Sequence, residues 1–234
     1  MFSLDRPTSI FEIRWWGHAC FSIYNKAIGL TIIFDPFRRE IGKFSLEGLK
    51  GDIILCSHDH FDHANWQKVA KWDSQHFIGL VGDRNVKDVK IRGILTYHDD
   101  KRGKERGTNT VYVVGYGDGV FVHLGDLGHT LSQDHVERIR VFGRPHVLFI
   151  PIGGVFTIGP KEAVTVIRQV NPHIVIPMHY YSEKLNQRIF GKLHRLDDFL
   201  NVWGGPVEKV ENNTFELNIN EVPEEPTVYV LRQP

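Results

Sequence analysis

A chain of 234 residues, 41% hydrophobic and 24% charged, carries enough apolar material for a sizeable core and excludes a disordered composition. Lys plus Arg equals Asp plus Glu at 28 each, and this zero balance argues against a nucleic-acid binder, which would carry a basic surplus. No apolar run approaches the ~20 residues of a membrane span, residues 1–11 lack a leader's apolar core, and Cys20 and Cys56 belong to no CxxC pair, so a soluble cytoplasmic protein is expected.

In chain order, residues 10–16 and 21–24 read as strands, the second by strict alternation. Residues 30–34 form a continuous apolar run that stops at Asp35-Pro36, where proline cannot donate to a ladder. A charged, glycine-punctuated connection then leads to Asp52-Ile53-Ile54-Leu55-Cys56, a buried strand bounded by Gly51. A helix is expected over 65–72 with Asn65 as its N-cap. Strands follow over 77–81 and 91–97, then a polar loop over 98–109, and a hairpin pairing 110–114 with 120–124. Ser132 caps a helix running to Val141, 147–152 is a buried strand, and Pro160 opens a helix as an N1 proline. Ala163, Val164, Ile167 and Val170 give that helix one apolar face. Strands over 174–176 and 214–219 and a final edge strand over 228–231 complete the chain. No linker or low-complexity segment divides it, so residues 1–234 read as one α/β domain.

The chemistry concentrates in Ser57-His58-Asp59-His60-Phe61-Asp62-His63, directly after the Ile53 strand: three His and two Asp fall within six positions. Neutral imidazole and carboxylate suit zinc, iron or manganese at distances near ~2.0–2.2 Å. On a tightly turning loop His58 and His60 can point the same way, while Asp62 and His63 fold back toward a second ion. Further donors stand at the ends of later apolar runs: His98 after Ile94 to Tyr97, Asp126 after Val120 to Gly125, and His179 after Ile174 to Met178. Asp99 and Asp100 compete with His98 for its role. Lys101, Arg102, Lys104 and Arg106 form a basic, mobile loop fit to hold a carboxylate or phosphate, or to stand as a solvated charge run. Gly153-Gly154 is expected to permit close backbone approach near the site. His76, His123, His135, His146, His173 and His194 are taken as ordinary.

The box has the HxHxDH form of the metallo-beta-lactamase superfamily, and the chain from about Trp15 to about Tyr180 resembles its L-ascorbate-6-phosphate lactonase-like branch. The resemblance implies an α/β, αββα four-layer sandwich. It also implies two divalent metal ions, zinc first with manganese or iron(II) as alternatives. His58, His60 and His98 would hold one, Asp62, His63 and His179 the other, and Asp126 would bridge them. It gives Asp35 a bracing role, and places His18 and His129 near the site, where either could give a proton to a leaving group. The implied activity is hydrolysis by a metal-bound hydroxide, with Asp62, Asp126, His129 and His18 as catalytic residues. The expected substrate is a small anionic ester, lactone or phosphodiester, with no organic cofactor, nucleic acid or membrane partner; a homo-oligomer is left open.

Three other readings remain. A di-iron redox protein on the same fold is opposed by imidazole at His60 and by the lack of a flavodoxin-like segment. A transfer-RNA-processing hydrolase is opposed by the charge balance. A non-catalytic metal-binding scaffold would tolerate His58→Ala.

Overall fold

Alternation in the first strand decides which way the first sheet faces. The computed structural model describes residues 10–234, so most of the amino-terminal segment read as leader-free, residues 1–9, lies outside the described residues. Strand β1 (Ile10–Gly17) buries Phe11, Ile13 and Trp15 and leaves the residues between them half-exposed. It pairs antiparallel with β2 (Cys20–Asn25), and β2 with β3 (Leu30–Phe34). Then β4 (Gly51–Cys56) joins parallel to β3, and β5 (Ala70–Ile78) parallel to β4. β4 is buried along its whole length because it serves two cores. Ile53 and Leu55 face the second sheet, while Ile54 and Cys56 face a separate cluster with Phe37, Ile41, Phe44 and Leu185. Such two-sided burial explains a continuous apolar run where an ordinary half-exposed strand would alternate.

The helix expected over 65–72 is only α1 (Trp66–Val69). Asn65 does not cap it; its side-chain amide donates to the Phe37 carbonyl at 2.9 Å. Beyond Val69 the chain turns directly into β5, where Ser74 Oγ donates to the Gly51 carbonyl at 2.6 Å and accepts from the Lys71 amide at 2.7 Å. Trp72, read as the end of that helix, stands 98% exposed on this edge strand.

The second sheet begins with β6 (Gly82–Val86), β7 (Val89–Tyr97), β8 (Thr108–Tyr116) and β9 (Gly119–His123), an antiparallel meander. After α2 (Gln133–Ile139) comes β10 (Val147–Pro151); after α3 (Pro160–Val170) comes β11 (Ile174–Met178), both parallel additions. Helices α4 (Gln187–Phe190) and α5 (Leu196–Trp203) follow. The carboxyl-terminal strands are β12 (Val207–Val210), β13 (Thr214–Asn218) and β14 (Thr227–Leu231). β13 crosses back to pair with β1, closing a six-stranded sheet, while β14 lies between β11 and β12 in an eight-stranded one. The strand expected at the edge is therefore interior, and β12 takes the edge.

The two sheets meet face to face through aromatic contacts. Phe11 of β1 packs edge-on against Tyr116 of β8 and Phe121 of β9, with centroids 5.3 and 5.0 Å apart, and Phe21 of β2 meets Phe149 of β10 at 4.4 Å. On the outer side of the second sheet, α3 buries Ala163, Val166, Ile167 and Val170 and packs against α2 and α5. The outer face of the first sheet is covered by α1, α4 and irregular chain carrying Phe37, Phe44 and Leu49. The α/β four-layer sandwich is present, with one outer layer largely irregular. Among the described residues, no helix is long and apolar enough to cross a membrane, and Cys20 and Cys56 are buried free thiols.

Candidate metal centre

Six chain segments deliver polar side chains to one end of the sandwich. The β1–β2 turn brings His18, the end of β3 brings Asp35, and the loop after β4 brings Ser57 to His63. From the second sheet, His98 follows β7, the turn after β9 reaches Asp126, and His179 follows β11. Cross-sheet bonds seal this end: Tyr112 Oη donates to the Cys56 carbonyl at 3.0 Å, and the Thr110 amide to the Ser57 carbonyl at 2.9 Å. His18, Asp35 and His179 all adopt left-handed backbone, with φ of 53°, 44° and 52°. Non-glycine residues rarely tolerate that region, and such strain is concentrated where surroundings over-determine a site. Two glycines let the loops close. A Cβ at Gly128 would overlap the backbone of His98 and Asp99, and one at Gly153 would overlap the His179 carbonyl, as expected for Gly153.

The donor atoms fall into two adjoining groups. Ring nitrogens of His58, His60 and His98 lie within 4.8 Å of one another, as do the ligand atoms of His18, Asp62, His63 and His179. Asp126 stands between them: its Oδ2 is 3.1 Å from His98 Nε2, 3.2 Å from His63 Nε2 and 3.4 Å from His179 Nε2. A third group, His58, His63 and Asp126, joins the two, and His18 stands with the second set. Most of these residues are buried, yet five of their polar atoms make no well-aligned hydrogen bond: His18 Nδ1, His63 Nε2, Asp126 Oδ1 and both ring nitrogens of His179, the two Nε2 atoms among them keeping only carboxylate contacts. Each orphaned buried group costs about 1–3 kcal/mol, and a divalent cation among them removes that cost. The donor set fits such ions.

Ionisation is arranged by burial and neighbours. Burial, then His63, pull His58 down to about 3, so its ring is neutral and able to coordinate. Burial, then His179, lower His18 to about 4. Burial opposes charge on His63, but Asp126, Asp62 and Asp35 outweigh it and hold the ring well above its ordinary value. Burial alone would raise Asp126; the surrounding His179, His63 and His98 push it far below the carboxylate range. Behind the donors, Asp35 fixes the loop: Oδ1 accepts from the Ser57 amide at 2.6 Å, and Oδ2 meets Ser57 Oγ and His63 Nδ1, each at 2.8 Å. His98 Nδ1 is engaged by the Phe156 carbonyl at 3.0 Å, which turns Nε2 toward Asp126. These are the orienting bonds that metal-binding imidazoles require.

The structure gathers His18, His58, His60, Asp62, His63, His98, Asp126 and His179, and leaves His129 aside. His129 Nε2 accepts from the Tyr97 amide at 3.2 Å and Nδ1 donates to the Thr130 carbonyl at 2.7 Å. With both nitrogens engaged by the backbone, it braces two loops. Asp99 does not replace His98; its carboxylate accepts from the amides of Lys101, Gly103, Glu105 and Arg106. The basic loop is thereby tied down rather than loose.

Two supporting residues escape a reading by motif. His123, grouped with the ordinary histidines, is fully buried: Nε2 donates to the Ala19 carbonyl at 2.9 Å and Nδ1 accepts from the Gly125 amide at 3.1 Å, shaping the turn that carries Asp126. Asn109 Oδ1 accepts from the Asp126 amide at 2.9 Å. The available signal was a lone imidazole inside the apolar run Val120 to Leu124, since a buried polar group demands partners.

His60, Asp62, His98, Asp126 and His179 line a cavity of about 210 Å³ walled by Phe61, Phe156, Ile189 and Phe190. A groove of about 810 Å³ over Phe37, Phe44 and Lys68 is larger, but none of the clustered donors lines it.

Residues 12–179 match the model of the Beta-lactamase superfamily domain. The chain is 30% identical over 197 residues to a UPF0173 metal-dependent hydrolase of Methanopyrus kandleri, covering 72% of this chain and 84% of that protein. A UPF0173 metal-dependent hydrolase of Methanoculleus marisnigri is 33% identical over 191 residues, covering 72% and 80%. Among solved structures, a Thermotoga maritima protein described as a Zn-dependent hydrolase of the metallo-beta-lactamase superfamily superposes with a TM-score of 0.73 at 34% identity, covering 95% of this chain and all of that one.

Proposed function

Since the chain belongs to the metallo-beta-lactamase superfamily, we propose that it is a metal-dependent hydrolase of a small anionic ester, lactone or phosphodiester. The observation that carries this is the clustering of buried imidazoles and carboxylates with unsatisfied atoms, two of them, Asp126 and His179, lining a cavity of about 210 Å³. We further propose the lactonase-like branch, supported by His18 of Gly17-His18-Ala19 standing against the cluster, with its Nε2 3.3 Å from Asp62 Oδ2.

His58, His60 and His98 would hold one ion and Asp62, His63 and His179 a second, with Asp126 shared. Nitrogen and oxygen donors of this kind suit zinc first, and manganese or iron(II) next. When bound, such ions supply Lewis acidity and lower the pKa of water toward ~7. The chain's own groups do the rest. Asp62 borders the cavity, ionised, where it can take a proton from attacking water and return it to a departing oxygen. His18, neutral at its lowered pKa, donates toward Asp62 and fixes its orientation. Phe61, Phe156 and Phe190 exclude bulk water and limit the substrate to a small molecule. The size and apolar walls of the cavity disfavour a nucleic-acid strand, and the two buried free thiols support a reducing compartment.

The test begins with elemental analysis of protein purified without added metal, followed by a screen of lactones, carboxylic esters and phosphodiesters with zinc or manganese supplied. Two ions per chain are expected, with turnover abolished by His58→Ala or a chelator. Fully loaded protein that cleaves nothing in those panels would overturn the hydrolase reading.

A further inference from the structure

The cavity is asymmetric in charge. Five of the clustered donors line one part of it and aromatic or aliphatic side chains another, and one guanidinium, that of Arg106, joins the lining. Lys101, Arg102 and Lys104 of the same loop are exposed to solvent and do not line it. Arg106 is half-buried, and its guanidinium carbon lies 5.7 Å from the centroid of the Phe156 ring. Its backbone is anchored by Asp99, whose Oδ2 accepts the Arg106 amide at 2.8 Å. The loop therefore presents one cation at a fixed place, backed by an aromatic face. Its nearest anion is Glu105, with Oε2 3.6 Å away, and Glu105 also pairs with Lys101.

We propose that Arg106 is a specificity-determining residue. It binds a carboxylate or phosphate at the end of the substrate remote from the bond being cleaved, while the apolar body between lies along Phe61, Phe156 and Phe190. This rests on the hydrolase reading of the same site. A guanidinium offers a planar fork of donors matched to such oxyanions, and the aromatic walls favour a flat or branched apolar segment over a polar sugar-like one. Glu105 competes for the guanidinium when the cavity holds no anion, so it weakens the grip on the anionic end.

The experiment has two arms on zinc-loaded protein. The first compares a phenyl ester with the matching ester bearing a ring carboxylate. Wild type should favour the charged ester at least tenfold in kcat/KM. Arg106→Ala should raise KM for that ester about 10- to 100-fold with kcat little changed, leaving the neutral ester unaffected, as expected for loss of a charge-assisted pair. Arg106→Lys should fall between, and Glu105→Gln should lower KM for the charged ester. Equal losses on both esters, or a preference for the charged ester that survives Arg106→Ala, would overturn the assignment.

The second arm measures binding of phenylacetate and of phenylacetamide by calorimetry, which needs no turnover. Wild type should bind the acid at least tenfold tighter than the amide, and Arg106→Ala should erase that difference. Acid binding indifferent to Arg106→Ala would sink the role even if both esters are cleaved. Wild type that cleaves neither ester yet shows Arg106-dependent acid binding would sink the hydrolase reading and leave the anion contact standing.

Discussion

Asp35 touches no part of the cavity, yet three donors depend on it. Its carboxylate holds the Ser57 amide, the Ser57 hydroxyl and His63 Nδ1 at 2.6–2.8 Å. Asp35→Asn keeps the shape but replaces one acceptor oxygen by a donor. Affinity for zinc should fall about 10- to 100-fold, measured by competition with a chromophoric chelator. A second outcome concerns protons. Without metal, His63 and His98 are both raised by facing carboxylates, burial opposing in each case. Raised rings are protonated below their shifted values, whereas a ligating ring must be neutral. Metal uptake near neutral pH should thus release protons, and apparent affinity should weaken as pH falls; calorimetry in buffers of different ionisation enthalpy reads the count. His58 and Asp62 were legible because the box crowds them together. Asn109 was not, because it reaches the Asp126 amide from a separate strand, and His123 was not, because its Nε2 partner, the Ala19 carbonyl, lies far away in the chain; no local spacing records either bond.

Among the elements, β4 has most to lose. Its Ile54 faces the outer cluster and Leu55 the inter-sheet core, both fully buried. Ile54→Ala should cost about 2–5 kcal/mol, seen as a lower denaturation midpoint at unchanged m-value. The loop at 101–106 follows different physics. Burial would raise the Asp99 carboxyl, but the amides of Arg106, Glu105, Lys101 and Gly103 outweigh it and hold it at about 2. A depressed carboxylate anchors the loop above its ordinary value of 3.8 and loses that grip as pH falls toward about 2. Amides of Lys101 and Arg106 should lose exchange protection over that window, and Asp99→Ala should abolish it at neutral pH.

The same contrast explains which elements could be read. Strands with two-sided burial, such as β4 and β10, announce themselves by composition. β6 is half- to fully exposed and is held beside β7 by Arg92 paired with Asp83 at 2.7 Å, so it has no hydrophobic signature. α5 does carry its apolar residues Phe199 and Trp203 at helical spacing, but its value appears only once α3 is there to receive them.

For the whole molecule, the donors straddle the seam. His18 and the residues His58 to His63 hang from the first sheet, while His98, Asp126 and His179 hang from the second. Ions held there would fasten the two halves of the sandwich together at one end. At free metal near 100 Kd each ion would stabilise the fold by about 2.7 kcal/mol, or roughly 5–10 °C in Tm for a domain of this size. Calorimetric scans with and without chelator should show that stabilisation, and His179→Ala should remove the share of the ion it would hold. The sandwich itself was foreseeable only through the family resemblance that the motif box carries. The crossing of β13 to the first sheet was not, since its partner β1 is about two hundred residues away in the chain.

The left-handed backbone at His18, Asp35 and His179 has an evolutionary corollary. Glycine at any of the three would relax the main chain, while erasing a side chain that the pocket uses. At His18, whose Nδ1 has no partner, a population of metal-free protein selected only for thermal robustness should drift toward glycine, and one selected for turnover should resist it. Deep mutational scanning scored separately for abundance and for catalysis would show that position pulled in opposite directions.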